Sequence, residues 1–159
     1  GDYLGNYFLI LFFPEKWSFE LFEMYMPNAL WNPQTRIEIT TDYETYSGRK
    51  KYAANCQGGY YAARFPVLEK LAQIKRQGTV IALRFITGEY YAPLGVFVVR
   101  EAVRKTLKNK PIEFGSKELM LNYTTLKVKR RFGVNISQVL RTSKLLDLMK
   151  KQKKIDEFF

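Results

Sequence analysis

The chain reads as an α/β protein: a small mixed sheet with helices on its faces, followed by a basic helical section. Three observations predict this. Short runs rich in apolar and β-forming residues stand at 7–13, 36–43 and 79–86. Segments of helical period and breaker residues separate them. Positive charge then gathers in the last third of the chain.

Each element has its own reason. Residues 7–13, Tyr-Phe-Leu-Ile-Leu-Phe-Phe, are apolar at every position and stop at Pro14, which reads as a central strand covered on both sides. Residues 18–26 start at Ser18, a good N-cap, and stop at Pro27, so the expectation there is a helix. Residues 36–43 alternate polar and apolar, the pattern of a half-buried strand. Residues 44–58 carry Ser47-Gly48 and Gly58-Gly59 and read as a loop. A helix is expected over 60–77, with Phe65, Leu68, Leu71 and Ala72 on its buried stripe and Pro66 demanding a start or a kink. After Gly78, residues 79–86 form a third strand. Pro93 opens a helix to about residue 108 that buries Val96, Val99, Val103 and Leu107. Further helices are expected over 116–131, ended by Gly133, and over 136–149. The division is one domain over 1–149 and a flexible tail over 150–159.

Composition removes whole classes of chemistry. Apolar residues at 47% exclude a disordered chain. There is no His, hence no Ser-His-Asp triad, no imidazole base and no His metal site. The lone Cys56 forms no internal disulfide or thiolate cluster, and it suits a reducing, cytoplasmic setting. No apolar run approaches the ~20 residues of a membrane helix, so no membrane partner is expected. No motif specifies a cofactor. The chain starts at Gly1, without Met, which suggests a processed chain or a piece of a longer protein.

Charge is segregated. Residues 1–99 hold 10 basic and 9 acidic side chains, whereas residues 100–159 hold 16 and 6. Segregation of this kind points to an acidic polymer, with DNA the expected partner. Arg100, Arg104 and Lys108 recur every four residues as a ridge on one helix; Lys127, Lys129, Arg130 and Arg131 close the next. These seven are the candidate nucleic-acid contacts.

A second function class stays open: a metal- or nucleotide-dependent enzyme acting on DNA or a nucleotide. Asp42 and Glu44 lie two apart on a strand end and share a face. With Glu89, after the later strand, they would make three carboxylates able to hold Mg²⁺ or Mn²⁺ for phosphodiester hydrolysis, if they converge. The same acids equally suit surface salt bridges with Arg49, Lys50, Lys51 and Arg64. Arg49 and Arg64, with the paired Tyr60, Tyr61 and Tyr90, are the candidate phosphate or base contacts.

The last ten residues read Lys-Lys-Gln-Lys-Lys-Ile-Asp-Glu-Phe-Phe. In a 3₁₀ turn, positions three apart eclipse, so Ile155 and Phe158 make one apolar plug with Phe159 beside it and Gln152 as a polar anchor. Gln-x-x-Ile-x-x-Phe-Phe resembles the box by which replication and repair proteins bind the sliding clamp PCNA. Further runs carry a family resemblance: Asp-Tyr-Leu-Gly-Asn at 2–6, Trp-Ser-Phe-Glu-Leu at 17–21, Gly-Gly-Tyr-Tyr-Ala-Ala-Arg at 58–64, and Glu-Tyr-Tyr-Ala-Pro-Leu-Gly-Val-Phe-Val-Val-Arg-Glu at 89–101. With the terminal box they resemble the C-terminal region of the archaeal Nre proteins over nearly the whole chain. The resemblance implies a DNA-repair protein tied to PCNA, a C-terminal-type domain over 1–149, and an N-terminal half missing from the chain. It implies no catalytic roles.

Overall fold

The computed structural model describes residues 1–91 and 95–151. Its strands are β1 (Asp2–Tyr3), β2 (Asn6–Phe13), β3 (Ser18–Tyr25), β4 (Glu38–Glu44) and β5 (Thr79–Ile86). Its helices are α1 (Gly59–Gln73), α2 (Gly95–Leu107), α3 (Lys117–Phe132), α4 (Ser137–Arg141) and α5 (Lys144–Lys151). They divide into two compact units, the first over Gly1–Ile112 and the second from Glu113 onward.

The first unit is one five-stranded mixed sheet in the order β1-β2-β5-β3-β4. Strand β5 runs antiparallel to β2 and parallel to β3, and β4 runs antiparallel to β3. Helices α1 and α2 lie on one face, where Phe8, Phe19, Leu21, Val80 and Ala82 meet Tyr60, Ala63, Val67, Val99 and Val103. Side chains on the other face, Leu11, Phe13, Phe22, Met24, Ile81, Leu83 and Phe85, are buried as well. That is why β2 and β5 are apolar at nearly every position, and why β3, despite Ser18, Glu20 and Glu23, shows no regular alternation.

In this unit three expectations need correction. Residues 18–26 are not a helix: β3 is a central strand. Ser18 caps nothing and instead shares a 2.7 Å hydroxyl hydrogen bond with Thr79. A run buried on both faces has no polar alternation, so period alone does not separate strand from helix, and neighbours on both sides decide. On α1 the buried stripe is Tyr60, Ala63, Val67 and Leu71, which leaves Phe65 half exposed. On α2 it is Val98, Val99, Ala102 and Val103, which turns Val96 outward.

The second unit opens with α3. Ser116 caps it by accepting from Leu119 N at 3.2 Å, and Gly133 ends it at φ 71°, a left-handed conformation glycine adopts without strain. The helix expected over 136–149 is interrupted. Ser143 Oγ accepts from Leu146 N at 3.1 Å, so the chain restarts as α5 instead of continuing α4.

Candidate nucleic-acid interface

Strand β4 is an edge strand, and the loop after it folds back onto that edge. Asp42 organises this return. One oxygen accepts from Asn55 N and Cys56 N, both at 2.8 Å; the other meets Arg49 Nη2 at 3.2 Å. Arg49 also donates to the Tyr43 carbonyl at 2.7 Å, and Asn55 Nδ2 donates to that of Thr41 at 3.0 Å. Carbonyls that an edge strand would leave open are thereby closed by side chains, a barrier to strand pairing with another chain.

Glu44 is two residues on and shares the face, as the spacing predicts. Its Oε1 accepts from Trp17 Nε1 at 2.9 Å and Arg64 Nε at 2.8 Å, and its Oε2 from Tyr60 Oη at 3.3 Å. Glu89 does not join them. Glu44 lies at the level of Val80, whereas Glu89 is three residues beyond Ile86, a separation of about 20 Å along the sheet. Among the described residues no group of three or more His, Cys, Asp or Glu is arranged to hold a metal ion.

Of the tyrosines singled out for base contact, Tyr60 and Tyr90 are buried. Burial, then the charge of Glu44, pushes the Tyr60 phenol far above its ordinary value. Tyr61 is half buried, with its ring centroid 4.5 Å from that of exposed Tyr52. Arg49 has its donors committed to Asp42, Tyr43, Lys51 and Tyr52. Arg64 lies over the Trp17 ring while holding Glu44.

A polar group that the sequence reading missed sits under the start of α1. Arg84 pairs with Glu23 across β5 and β3, and donates to Asn6 Oδ1 on β2. All three are buried. Gly59 packs directly over the pair, and a Cβ there would overlap Glu23 Oε1. Close by, burial and the Glu23 charge raise Tyr25 and the Cys56 thiol, each to about 12. The signal was available: one Arg inside the otherwise apolar residues 80–86 must find a partner.

The two basic helices differ. On α2, Arg104 holds Glu69 through two hydrogen bonds, at 2.7 and 3.0 Å, and Glu101 through a third at 2.8 Å. Those bonds hold the Glu69 carboxyl below its ordinary range. Arg100 lies over the Phe97 ring at 4.9 Å, with Nε 3.6 Å from Glu101. Lys108 is exposed just past α2. On α3, Lys127 lies 5.6 Å from the Tyr123 ring, and Lys129, Arg130 and Arg131 are exposed on the last turns. Glu118, the one acid of α3, is at the opposite end. Residues 152, 155, 158 and 159 of the terminal box lie outside the described residues.

The family described as archaeal Nre, C-terminal, matches residues 44–158, and archaeal Nre, N-terminal, matches residues 1–32. The chain is 40% identical over 130 residues to DNA repair protein NreA of Archaeoglobus fulgidus, covering 82% of this chain and 33% of the relative. To DNA repair protein NreA of Haloferax volcanii it is 33% identical over 112 residues, 69% of this chain and 27% of the relative. To DNA repair protein NreB of A. fulgidus it is 36% identical over 118 residues, 74% of this chain and 30% of the relative. The chain thus spans about a third of the length of these relatives. No solved structure matches it. The N-terminal family description is represented here by β1 to β3, whereas the sequence reading placed an N-terminal half outside the chain. In the sheet the two matches interlock: β5 lies between β2 and β3. Among the described residues no helix is long and apolar enough to cross a membrane.

Proposed function

The chain belongs to the archaeal Nre family, and from that premise we propose that it is a DNA-repair module that binds DNA electrostatically and docks on the PCNA clamp through its tail. The observation that carries the reading is the separation of charge. Arg49, Arg64, Arg84 and Arg104 each hold a carboxylate of the first unit. Lys129 and Arg130, at the end of α3, are instead exposed. Phosphate neutralisation by such side chains is sequence-independent and weakens steeply with salt. The clamp contact is supported by the spacing of Gln152, Ile155, Phe158 and Phe159. The reading places the protein in the cytoplasm.

Two measurements test it. Binding to a random-sequence duplex should fall linearly in log Kobs against log salt; affinity independent of salt overturns the electrostatic part. Replacing Phe158 and Phe159 by Ala should abolish calorimetric binding to PCNA, since anchor truncations cost on the order of 2–4 kcal/mol, and leave the melting temperature unchanged. Intact clamp binding with a large loss of stability would mean that the two rings are core residues.

A further inference from the structure

The outer face of the α1–α2 layer carries exposed rings that the sheet does not use. Phe65 on α1 is 50% exposed and Phe97 on α2 is 64% exposed, although neighbouring Val67 and Val98 are buried. Each has a guanidinium over its ring: Arg104 at 6.0 Å from Phe65 and Arg100 at 4.9 Å from Phe97. One helical turn before Phe65, on the same stripe, Tyr61 packs against Tyr52, itself 70% exposed. The helices lie side by side: Glu69 reaches Arg104, and a Cβ on Gly58, at the start of α1, would be 3.1 Å from Val96, near the start of α2. The rings are therefore one connected surface, joined from Phe97 through Arg100, Glu101 and Arg104 to Phe65.

A duplex has its base faces stacked inside and offers such rings nothing. Unpaired bases offer π faces about one ring wide, with phosphates that an arginine beside the ring can meet. Rings and arginines alternate on this face, which is the chemistry single-stranded DNA requires. Resting on the DNA-binding reading above, we propose that the Phe65–Phe97 face stacks the unpaired bases of single-stranded DNA, while the α3 cations serve duplex and single strand alike. Glu69 and Glu101 set the strength of the site. They hold the Arg104 guanidinium near Phe65 and also present carboxylates that repel an approaching phosphate. The surface is consequently tuned for weak, exchangeable contact.

The test measures anisotropy of labelled oligo-dT of about 12 nucleotides and of a blunt duplex, with the full chain. F65A/F97A should lower oligo-dT affinity roughly tenfold or more and leave the duplex affinity unchanged. E69Q/E101Q should raise oligo-dT affinity several-fold. Unchanged oligo-dT affinity in F65A/F97A overturns the proposal, as does an equal loss on both DNAs. A wild-type chain that binds the duplex but not oligo-dT removes the stacking face and leaves the electrostatic reading standing. A chain that binds neither removes both. Marked preference for oligo-rU over oligo-dT would assign the face to RNA and also overturn the proposal. Because both phenylalanines are half or more exposed, F65A/F97A should melt close to the wild type, and coincident melting curves show that its weaker binding does not come from unfolding.

Discussion

The sheet unit and the α3 helix use positive charge in opposite ways. In the first, Arg49, Arg64, Arg84 and Arg104 reach across elements to Asp42, Glu44, Glu23 and Glu69. These pairs fasten a loop to an edge strand, fill a buried gap under α1 and join two helices. On α3 the only acid stands at the N-terminus, where it suits the helix dipole, and the cations crowd the C-terminus, which they also suit. The same residue types hold structure together in one place, whereas in the other Lys129 and Arg130 are exposed on the last turn. Helical spacing does not distinguish the cases; the presence of a carboxylate on the next element does.

The largest way to break this contrast is to remove a cation from the sheet. Arg84→Ala leaves Glu23 buried without its partner, which typically costs about 3–5 kcal/mol. Urea unfolding should report that loss, and Arg84→Met with Glu23→Leu should recover much of it.

Alkaline pH probes the same buried region without mutation. Both Tyr25 and Cys56 are held neutral to about 12, while their unfolded values are near 10 and 8.5. A raised acid keeps its contribution in full below the unfolded value and loses it as pH rises toward the folded one. Stability should therefore fall between about pH 8.5 and 12, by at most about 1.4 kcal/mol per pH unit for each group. Cys56→Ser should flatten the first part of that decline. In the native protein the thiol should resist alkylation at pH 8; rapid reaction would contradict its burial.

Next comes the open end of α3. Lys129→Glu with Arg130→Glu should lower stability by about 1 kcal/mol, because two cations that suit the C-terminal end of the helix dipole become acids. It should lower duplex affinity about tenfold or more and reduce the salt slope by about 0.9 for each phosphate that is no longer neutralised. An unchanged slope would remove α3 from the interface.

The smallest effect belongs to the exposed clamp on α2. Arg104→Ala should lower the melting temperature only slightly, as is usual for exposed pairs, with the loss seen in low salt and diminishing at high salt. A loss as large as that of Arg84→Ala would erase the distinction between the two kinds of pair.

Some of this was legible before any fold was known. Mixed α/β architecture, strands at 7–13 and 79–86, and the placing of Asp42 and Glu44 on one face follow from local pattern, because strand period and breaker residues act within a few positions. So do the charge segregation and the terminal box, which are properties of composition and spacing alone. Tertiary structure decided the rest. Residues 18–25 became a strand because β4 and β5 flank them, and no local signal outweighs two neighbours supplying backbone hydrogen bonds. Phe65 turned outward because the buried side of α1 was set by Tyr60, Ala63 and Val67 meeting the sheet. Asp42 and Glu44 became fastenings because Arg49, Asn55, Cys56, Tyr60 and Arg64 arrive from loop and helix, and Glu89 stayed at the far end of the sheet. Local sequence determines which residues share a face. Contacts between elements distant in the chain determine which charges find each other, and so which are left for a partner.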